Sequence, residues 1–234
     1  MEEFDRIRRM FGDKGMQMLK NARVLIFGLG GVGSYCLEAL CRSGIGMFVL
    51  VDHDHIALSN INRQIGALHS TVGRSKTEVY RERALDINPL CALETHQEFV
   101  AQENIAGFFK ERYDYVIDAI DTSDSKAAII QAARSREIPI ISSMGMANRY
   151  DPKLIRIADI SQTMGCALAR KMRQKLKSMG IHSGVKTVFS TEKAQDTTIL
   201  GNVAHLGSVA YVPSVAGLYI AAEIVNSIVK SEDQ

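Results

Sequence analysis

The sequence lacks the marks of a secreted, membrane-spanning or zinc-ribbon protein. Its four cysteines, Cys36, Cys41, Cys91 and Cys166, form no C-x-x-C pair. No zinc ribbon is therefore written in the chain, and so sparse a set suits a reducing cytosol. The start Met1-Glu2-Glu3-Phe4-Asp5-Arg6 is charged and has no apolar stretch of signal-peptide type. No apolar run reaches the roughly 20 residues of a membrane span. Residues 215–229 come nearest, but they contain Glu223 and Asn226 and read as a buried or docking helix, with contact to a membrane surface left open. A charge excess is also missing. The formal net charge is +2, so a nucleic-acid partner must be argued from local clusters. No internal repeat or low-complexity segment is visible. What remains is ordinary for a globular protein: 234 residues, 46% hydrophobic and 23% charged. That length suits one large domain and buries a core without metal or disulfide staples.

The patterning predicts an α/β protein, Rossmann-like, with a mostly parallel sheet and an elaborated C-terminal part. Residues 4–20 read as an amphipathic helical start broken by Gly12 and Gly15. Arg23-Val-Leu-Ile-Phe27 is a continuous apolar run, the mark of a parallel strand buried on both faces. A glycine turn follows, then a helix over 32–43 stopped by Gly44 and Gly46, then the strand Met47-Phe-Val-Leu-Val51. This is a βαβ unit of about 30 residues. A helix over 75–86, strands at Leu93 to Phe99 and Tyr115 to Asp118, a helix at Ser125 to Arg136 and a strand at Ile138 to Ser142 continue the alternation. After about residue 150 the rhythm changes. A strand at Leu154 to Ile160, a basic helix over 165–179, a loop-rich stretch over 183–208 and a helix over 213–230 are expected. One domain, 1–234, accommodates all of this, as an N-terminal arm (1–20), a nucleotide-binding core (21–150) and a C-terminal part (151–234).

Four segments carry chemistry. Gly28-Leu-Gly30-Gly31-Val-Gly33 follows a strand and opens a helix. Only glycine turns that tightly and lets backbone approach a phosphate, and the helix N-terminus offers free N–H groups. Alone, this suggests NAD as readily as ATP. Asp52 ends the next strand, where a carboxylate accepts from ribose hydroxyls, and Asp54 could cap or reach Mg2+ through water. Leu58-Ser-Asn-Ile-Asn-Arg-Gln64 with Gly73-Arg-Ser-Lys76 decides between the two cofactors. Hydride transfer has no use for that cluster, whereas Arg63 and Lys76 can neutralise a triphosphate while pyrophosphate leaves, and Asn60 can orient it. Asp118-Ala-Ile-Asp121-Thr-Ser-Asp124 ends the fourth strand. Asp121 suits Mg2+, with Thr122 beside it. Lys126 could touch substrate, and Asp124 reads as a helix N-cap. His53, His55 and His69 lie near these motifs and read as structural.

With these pieces assembled, the chain resembles the E1-like adenylating family, the ThiF/MoeB/HesA group that activates carboxylates as acyl-adenylates. GLGGVGS, VDHD, SNINRQ, VGRSK and DAIDT carry the likeness over roughly residues 20–145. The resemblance implies ATP and Mg2+ held by Gly28, Gly30, Gly31, Gly33, Asp52, Asn60, Arg63, Lys76, Asp121 and Thr122. It also implies a homodimer, in which Arg9 reaches the partner's site as an arginine finger, with Arg6 as the fallback. Within the family, the chain is similar to the branch that cyclises threonylcarbamoyladenosine at position 37 of tRNA. MFGDKGMQML, NRQIGAL, VIDAID, Arg156-Ile-Ala-Asp159-Ile-Ser and Val188-Phe-Ser-Thr-Glu192 carry this second likeness. So does the basic helix with Arg170, Lys171, Arg173, Lys175 and Lys177, expected to contact tRNA phosphates and extended by Arg134 and Arg136. The implied enzyme is an ATP-dependent, cytoplasmic dehydratase of modified tRNA, with a sulfur-relay protein as a possible further partner.

Some members of the family carry a cysteine shortly before the final glycine-rich run. Here that run reads Gly201-Asn-Val-Ala-His-Leu-Gly207, which favours direct attack on the adenylate over an acyl-cysteine relay. The first rival reading is an adenylyltransferase for a ubiquitin-like sulfur-carrier protein, disfavoured by the missing C-x-x-C pairs and the basic helix. The second is a redox or non-catalytic Rossmann protein, disfavoured by Arg63, Lys76 and Asp121 together.

Overall fold

The computed structural model describes residues 2–195, 199–200, 203–204 and 206–230. Seven strands form one sheet in the order β3-β2-β1-β4-β5-β7-β6. They are β1 (Arg23–Phe27), β2 (Met47–Val51), β3 (Ala92–His96), β4 (Tyr115–Asp118), β5 (Ile140–Ser143), β6 (Ile155–Asp159) and β7 (Lys186–Ser190). All pair in parallel except β6, which runs antiparallel to β7 on the outer edge. This is the mostly parallel α/β fold that the alternating pattern predicts.

Burial on both faces explains the unbroken apolar strands. Val24, Ile26, Phe48, Leu50 and Ile117 face one core, against α1 (Asp5–Asn21), α2 (Gly33–Arg42), α3 (Lys76–Ile87) and α6 (Tyr211–Lys230). Leu25, Phe27, Val49, Val51 and Val116 face the other, against α4 (Ser123–Arg134) and α5 (Ala167–Ser178). Register then places the chemistry. Phe27 pairs with Val51 on one side and Asp118 on the other, so Gly28, Asp52 and the loop from Ala119 leave the sheet side by side. The chain reverses its direction of travel across the sheet between β1 and β4, and such a switch point opens a crevice at the carboxyl edge.

Several boundaries differ from expectation. Gly12, at φ 68° and ψ 179°, kinks α1, but Gly15 stays helical and buried, so only the first glycine breaks the arm. The third strand stops at His96, short of Phe99. The stretch 183–208 hides a strand that is paired on both sides. β7 enters the sheet between β5 and β6 and carries it without interruption from the nucleotide-binding core into the C-terminal part. Within the same stretch residues 196–198, 201, 202 and 205 lie outside the described residues, and so does much of the 201–207 run where the missing cysteine was noted.

Asp159 joins β6 to the approach of β7. Its carboxylate accepts from the Ser161 N–H (2.9 Å) and hydroxyl (2.6 Å), the Gly184 N–H (2.6 Å) and the Val185 N–H (3.0 Å). Partial burial opposes ionisation there, but these donors outweigh it and hold the carboxyl below its ordinary range.

α6 is long and apolar enough to cross a membrane by length and composition. In the fold it is a packed helix, with Val212, Ala216, Ile220 and Ile224 buried against the first core. Its outer side exposes Tyr211, Leu218 and Tyr219.

Candidate active site

The glycine turn is compressed. Gly28 has φ +89° and donates its N–H to the Val51 carbonyl at 2.9 Å. A Cβ on Gly28 would sit 2.8 Å from the Ala119 carbonyl, and one on Gly33 would overlap the Gly28 carbonyl oxygen. The turn therefore brings the first turn of α2 against the end of β1. Above it, the position of Gly30 is open.

Asp52 secures this turn. One carboxylate oxygen accepts from the Leu29 N–H at 2.6 Å, the other from the Asp54 N–H at 2.9 Å. Each oxygen keeps a lone pair for a ligand hydroxyl. Lys76 is buried, with its ammonium 2.7 Å from Asp54 and 4.0 Å from Asp52. Partial burial raises the Asp54 carboxyl, but the hydrogen bond and charge of Lys76, helped by His53 and His55, bring it below its ordinary value. Asp54 thus pairs with Lys76 at the cleft wall. Asn60 fixes its own turn, its side-chain oxygen accepting from the Ala57 N–H at 3.1 Å. Arg63 donates to the Ser59 carbonyl (2.7 Å) and to Asn62 (3.0 Å), which holds its guanidinium at the cleft.

The acids after β4 divide. Asp118 is buried and pairs with the equally buried Lys126 at 2.9 Å. Lys126 also donates to the carbonyls of Ile120 (3.0 Å) and Ser143 (2.7 Å), so it braces two loops and has no surface for substrate. Asp121 is exposed in the cleft, and among the described residues its carboxylate accepts only from the Thr122 hydroxyl, at 3.4 Å. Thr122, not Asp124, occupies the N-cap position of α4, and Asp124 instead pairs with Lys175.

One cleft of about 1070 Å³ collects Gly28, Gly30, Gly31, Asp52, Asn60, Arg63, Lys76, Asp121 and Thr122. Gly33 lies beneath the turn and shapes it. Arg9 is exposed on α1 and does not line the cleft of its own chain. The far end is built from Ser143 to Arg149, Cys166 to Leu168 and Leu206 to Ser208. Asn148, at φ 58°, ties two of these segments together. It exchanges hydrogen bonds with Gly207, backbone to backbone at 2.9 Å and side chain to N–H at 2.6 Å.

α5 starts at this end. Arg170, Lys171 and Lys177 are exposed along it. Arg173 is turned onto the Thr163 carbonyl at 2.8 Å and Lys175 onto Asp124, so two of the five expected phosphate contacts have partners in their own chain. Arg134 donates to the Gly184 carbonyl at 3.1 Å and Arg136 lies over Phe109. Both remain exposed.

Sequence reasoning assigned no role to several cleft residues: Gln64, Phe99, Arg149 and Cys166. Gln64 stands directly after Arg63, and that adjacency was its only signal. Phe99 meets His53 edge-on at 5.1 Å beside the strand-end acids. Arg149 is buried and donates to backbone carbonyls of Gly145, Ala147, Gly165 and Glu192.

A glycine turn at a helix N-terminus, acids at adjacent strand ends and a cationic wall at the carboxyl edge define a nucleotide-binding α/β protein. The chain belongs to the ThiF family, whose model matches residues 4–234. It is similar to the tRNA threonylcarbamoyladenosine dehydratase of Bacillus subtilis, at 40% identity covering 98% of this chain and 96% of that protein. Its fold matches solved structures of the Escherichia coli tRNA N6-threonylcarbamoyladenosine dehydratase. The complex with AMP superposes with TM-score 0.92 at 35% identity, over 100% of this chain and 96% of that one. The complex with ATP gives 0.90 at 34%, over 99% and 96%. An adenylyltransferase and sulfurtransferase of Ogataea parapolymorpha is 36% identical over only 58% of this chain and 35% of its own length.

Proposed function

We propose that the protein is an ATP-dependent dehydratase that cyclises threonylcarbamoyladenosine at position 37 of tRNA through an acyl-adenylate. The observation that carries this is a single cleft. It runs from the phosphate-sized glycine turn to the N-terminal end of α5, where Arg170 and Lys171 stand exposed. The near full-length likeness to dehydratases, one of them solved both with ATP and with AMP, supports the same reading. The adenylyltransferase and sulfurtransferase relative matches a smaller share, 58% of this chain and 35% of its own length.

A free carboxylate resists attack because its leaving group would be oxide. Its oxygen attacks the α-phosphorus of ATP, pyrophosphate leaves, and a mixed anhydride with AMP forms. A nitrogen or oxygen of the carbamoyl group of the same side chain then attacks the activated carbonyl. AMP departs with the former carboxylate oxygen, a proton is lost, and the nucleoside is one water lighter. Ring closure is intramolecular, so positioning supplies much of the rate.

The site residues take these roles. Backbone N–H groups at Gly30 and Gly31 and the cations Arg63 and Lys76 stabilise phosphate charge. Asn60 and Thr122 orient it, and Asp52 accepts from the ribose. Asp121, an exposed carboxylate with no cation of its own among the described residues, has the oxygen donor that Mg2+ prefers, and that ion would neutralise the departing pyrophosphate. Arg9, outside its own cleft, acts across a homodimer. Arg170, Lys171 and Lys177 contact tRNA phosphates, and the enzyme works in the cytoplasm, with a sulfur-relay protein as an accessory partner. The test is incubation with ATP, Mg2+ and threonylcarbamoyladenosine-bearing tRNA, followed by mass analysis of the nucleoside. Loss of one water is expected. An unchanged nucleoside alongside adenylation of a small carrier protein would replace this reading with the rival.

A further inference from the structure

Asn62 spends the two ends of one amide on two distant parts of the chain. Its side-chain oxygen accepts from the Arg63 guanidinium at 3.0 Å, within the loop that walls the nucleotide end of the cleft. Its amide nitrogen donates to the Ser208 carbonyl at 3.0 Å, 146 residues further along the sequence. The residue before Ser208 is held from the other direction. Gly207 exchanges two hydrogen bonds with Asn148, at 2.9 and 2.6 Å, in the loop after β5. Gly207 and Ser208 thus form a short bridge, with an asparagine of the nucleotide end at one side and an asparagine of the far end at the other. Both bridge residues line the cleft. Beyond them the chain enters α6, where Pro213 has its Cβ 3.2 Å from the place a Cβ on Gly31 would take. The bridge is fixed to the glycine turn as well as to both walls.

Adenylate formation needs groups from both ends to meet. The α-phosphorus comes with ATP at the glycine turn, and the carboxylate comes with the tRNA from the far end. A carboxylate oxygen forms a bond to that phosphorus while the bond to pyrophosphate breaks. The rate of such a step depends on how well the reacting atoms are held together, so a contact that sets one end against the other acts on turnover more than on the binding of either substrate. Asn62 itself is exposed, and a surface side chain of this kind adds little to the stability of the core.

We infer that Asn62 is a positioning residue for adenylate formation, holding the Arg63 guanidinium and the Gly207-Ser208 bridge in one register so that the carboxylate meets the α-phosphorus. This rests on the dehydratase reading. It gives a neutral side chain beside Arg63 a task that a charge could not do, since one amide both accepts from a guanidinium and donates to a carbonyl.

The test replaces Asn62 with Leu, of similar size and without hydrogen-bonding groups, and in parallel with Gln, which keeps both ends of the amide. Thermal denaturation, ATP binding by calorimetry and steady-state kinetics with the threonylcarbamoyladenosine-bearing tRNA are measured on the full chain. Asn62→Leu is expected to lower kcat about tenfold, the value of one hydrogen bond lost from the transition state. The KM for tRNA, the affinity for ATP and the melting temperature stay near those of the wild type, and Asn62→Gln recovers most of the lost kcat. An unchanged kcat in Asn62→Leu overturns the assignment. So does a loss that appears as weakened ATP binding, because Asn62 would then serve Arg63 alone, and so does a loss that follows a fall in melting temperature. If the wild type itself leaves the nucleoside unaltered, the dehydratase reading fails. A wild type that dehydrates the nucleoside beside an equally fast Leu variant fails the bridge alone.

Discussion

The two ends of the cleft are built by different means. The nucleotide end is made of strand termini and the residues just after them: Gly28 to Gly33 after β1, Asp52 after β2, Asp121 after β4. Register in a parallel sheet aligns them, so a few contiguous motifs make the whole surface. The far end is made of segments 143–149, 166–168 and 206–208, held by side chains such as Asn148, bonded twice to Gly207, and Arg149, bonded to four carbonyls. The same contrast separates two lysines. Lys126 is sealed against Asp118 and ties the loops after β4 and β5 together, whereas Lys76 reaches Asp54 at the cleft wall. Sheet geometry makes the first end rigid and readable. Long-range contacts give the second its shape.

That comparison can be broken at several points. The largest effect is expected from Gly33→Ala, because its methyl overlaps the Gly28 carbonyl and nothing nearby is a flexible side-chain end. Loss of ATP binding in calorimetry, with a fall of at least about 3 kcal/mol in denaturant unfolding, is the expected outcome. Lys126→Met leaves Asp118 buried without its cation and should cost about 3–5 kcal/mol of stability. Lys76→Ala should do the opposite, with little change in unfolding and a loss of about 10²–10³-fold in kcat for pyrophosphate release. If the two lysine variants behaved alike, the division between bracing and chemistry would fail. Asp159→Ala should destabilise the β6–β7 junction by about 2 kcal/mol. Because the Asp159 carboxyl is depressed, its contribution is fully present above the ordinary aspartate value and disappears as pH falls through the folded-state value. Denaturation of wild type and variant across that acid range checks the sign. The smallest effect is sought at the far end. Reversing Arg170, Lys171 and Lys177 to Glu should weaken tRNA binding and lower its log–log salt slope by about 3. Reversing Arg173 and Lys175 should leave that slope nearly unchanged and appear instead as lost stability.

What could be read in the sequence follows the same boundary. β1, β2 and β4 were legible to the residue, because both faces are buried and their apolar runs are continuous. The nucleotide residues were legible because each stands within a few positions of a strand end. β7 was not. Lys186-Thr-Val-Phe-Ser190 is short and mixed in polarity, and its place is fixed by partners far away in the chain. The α5 cations were visible as charge but not as direction. Which of them point outward depends on Thr163 and Asp124, residues that no local pattern connects to the helix.

The position of β7 also sets an order of events during synthesis. Among the described residues β6 finds its only sheet neighbour in β7, which begins 27 residues after β6 ends, with α5 between them. As the chain emerges, strands β1 to β5 can assemble while β6 waits without a partner. The far wall closes only when β7 pairs with β5, and the core beneath the glycine turn is completed later still, when α6 packs against α2. A nascent chain halted before residue 186 would lack both the strand that completes the far wall and the helix that backs the glycine turn.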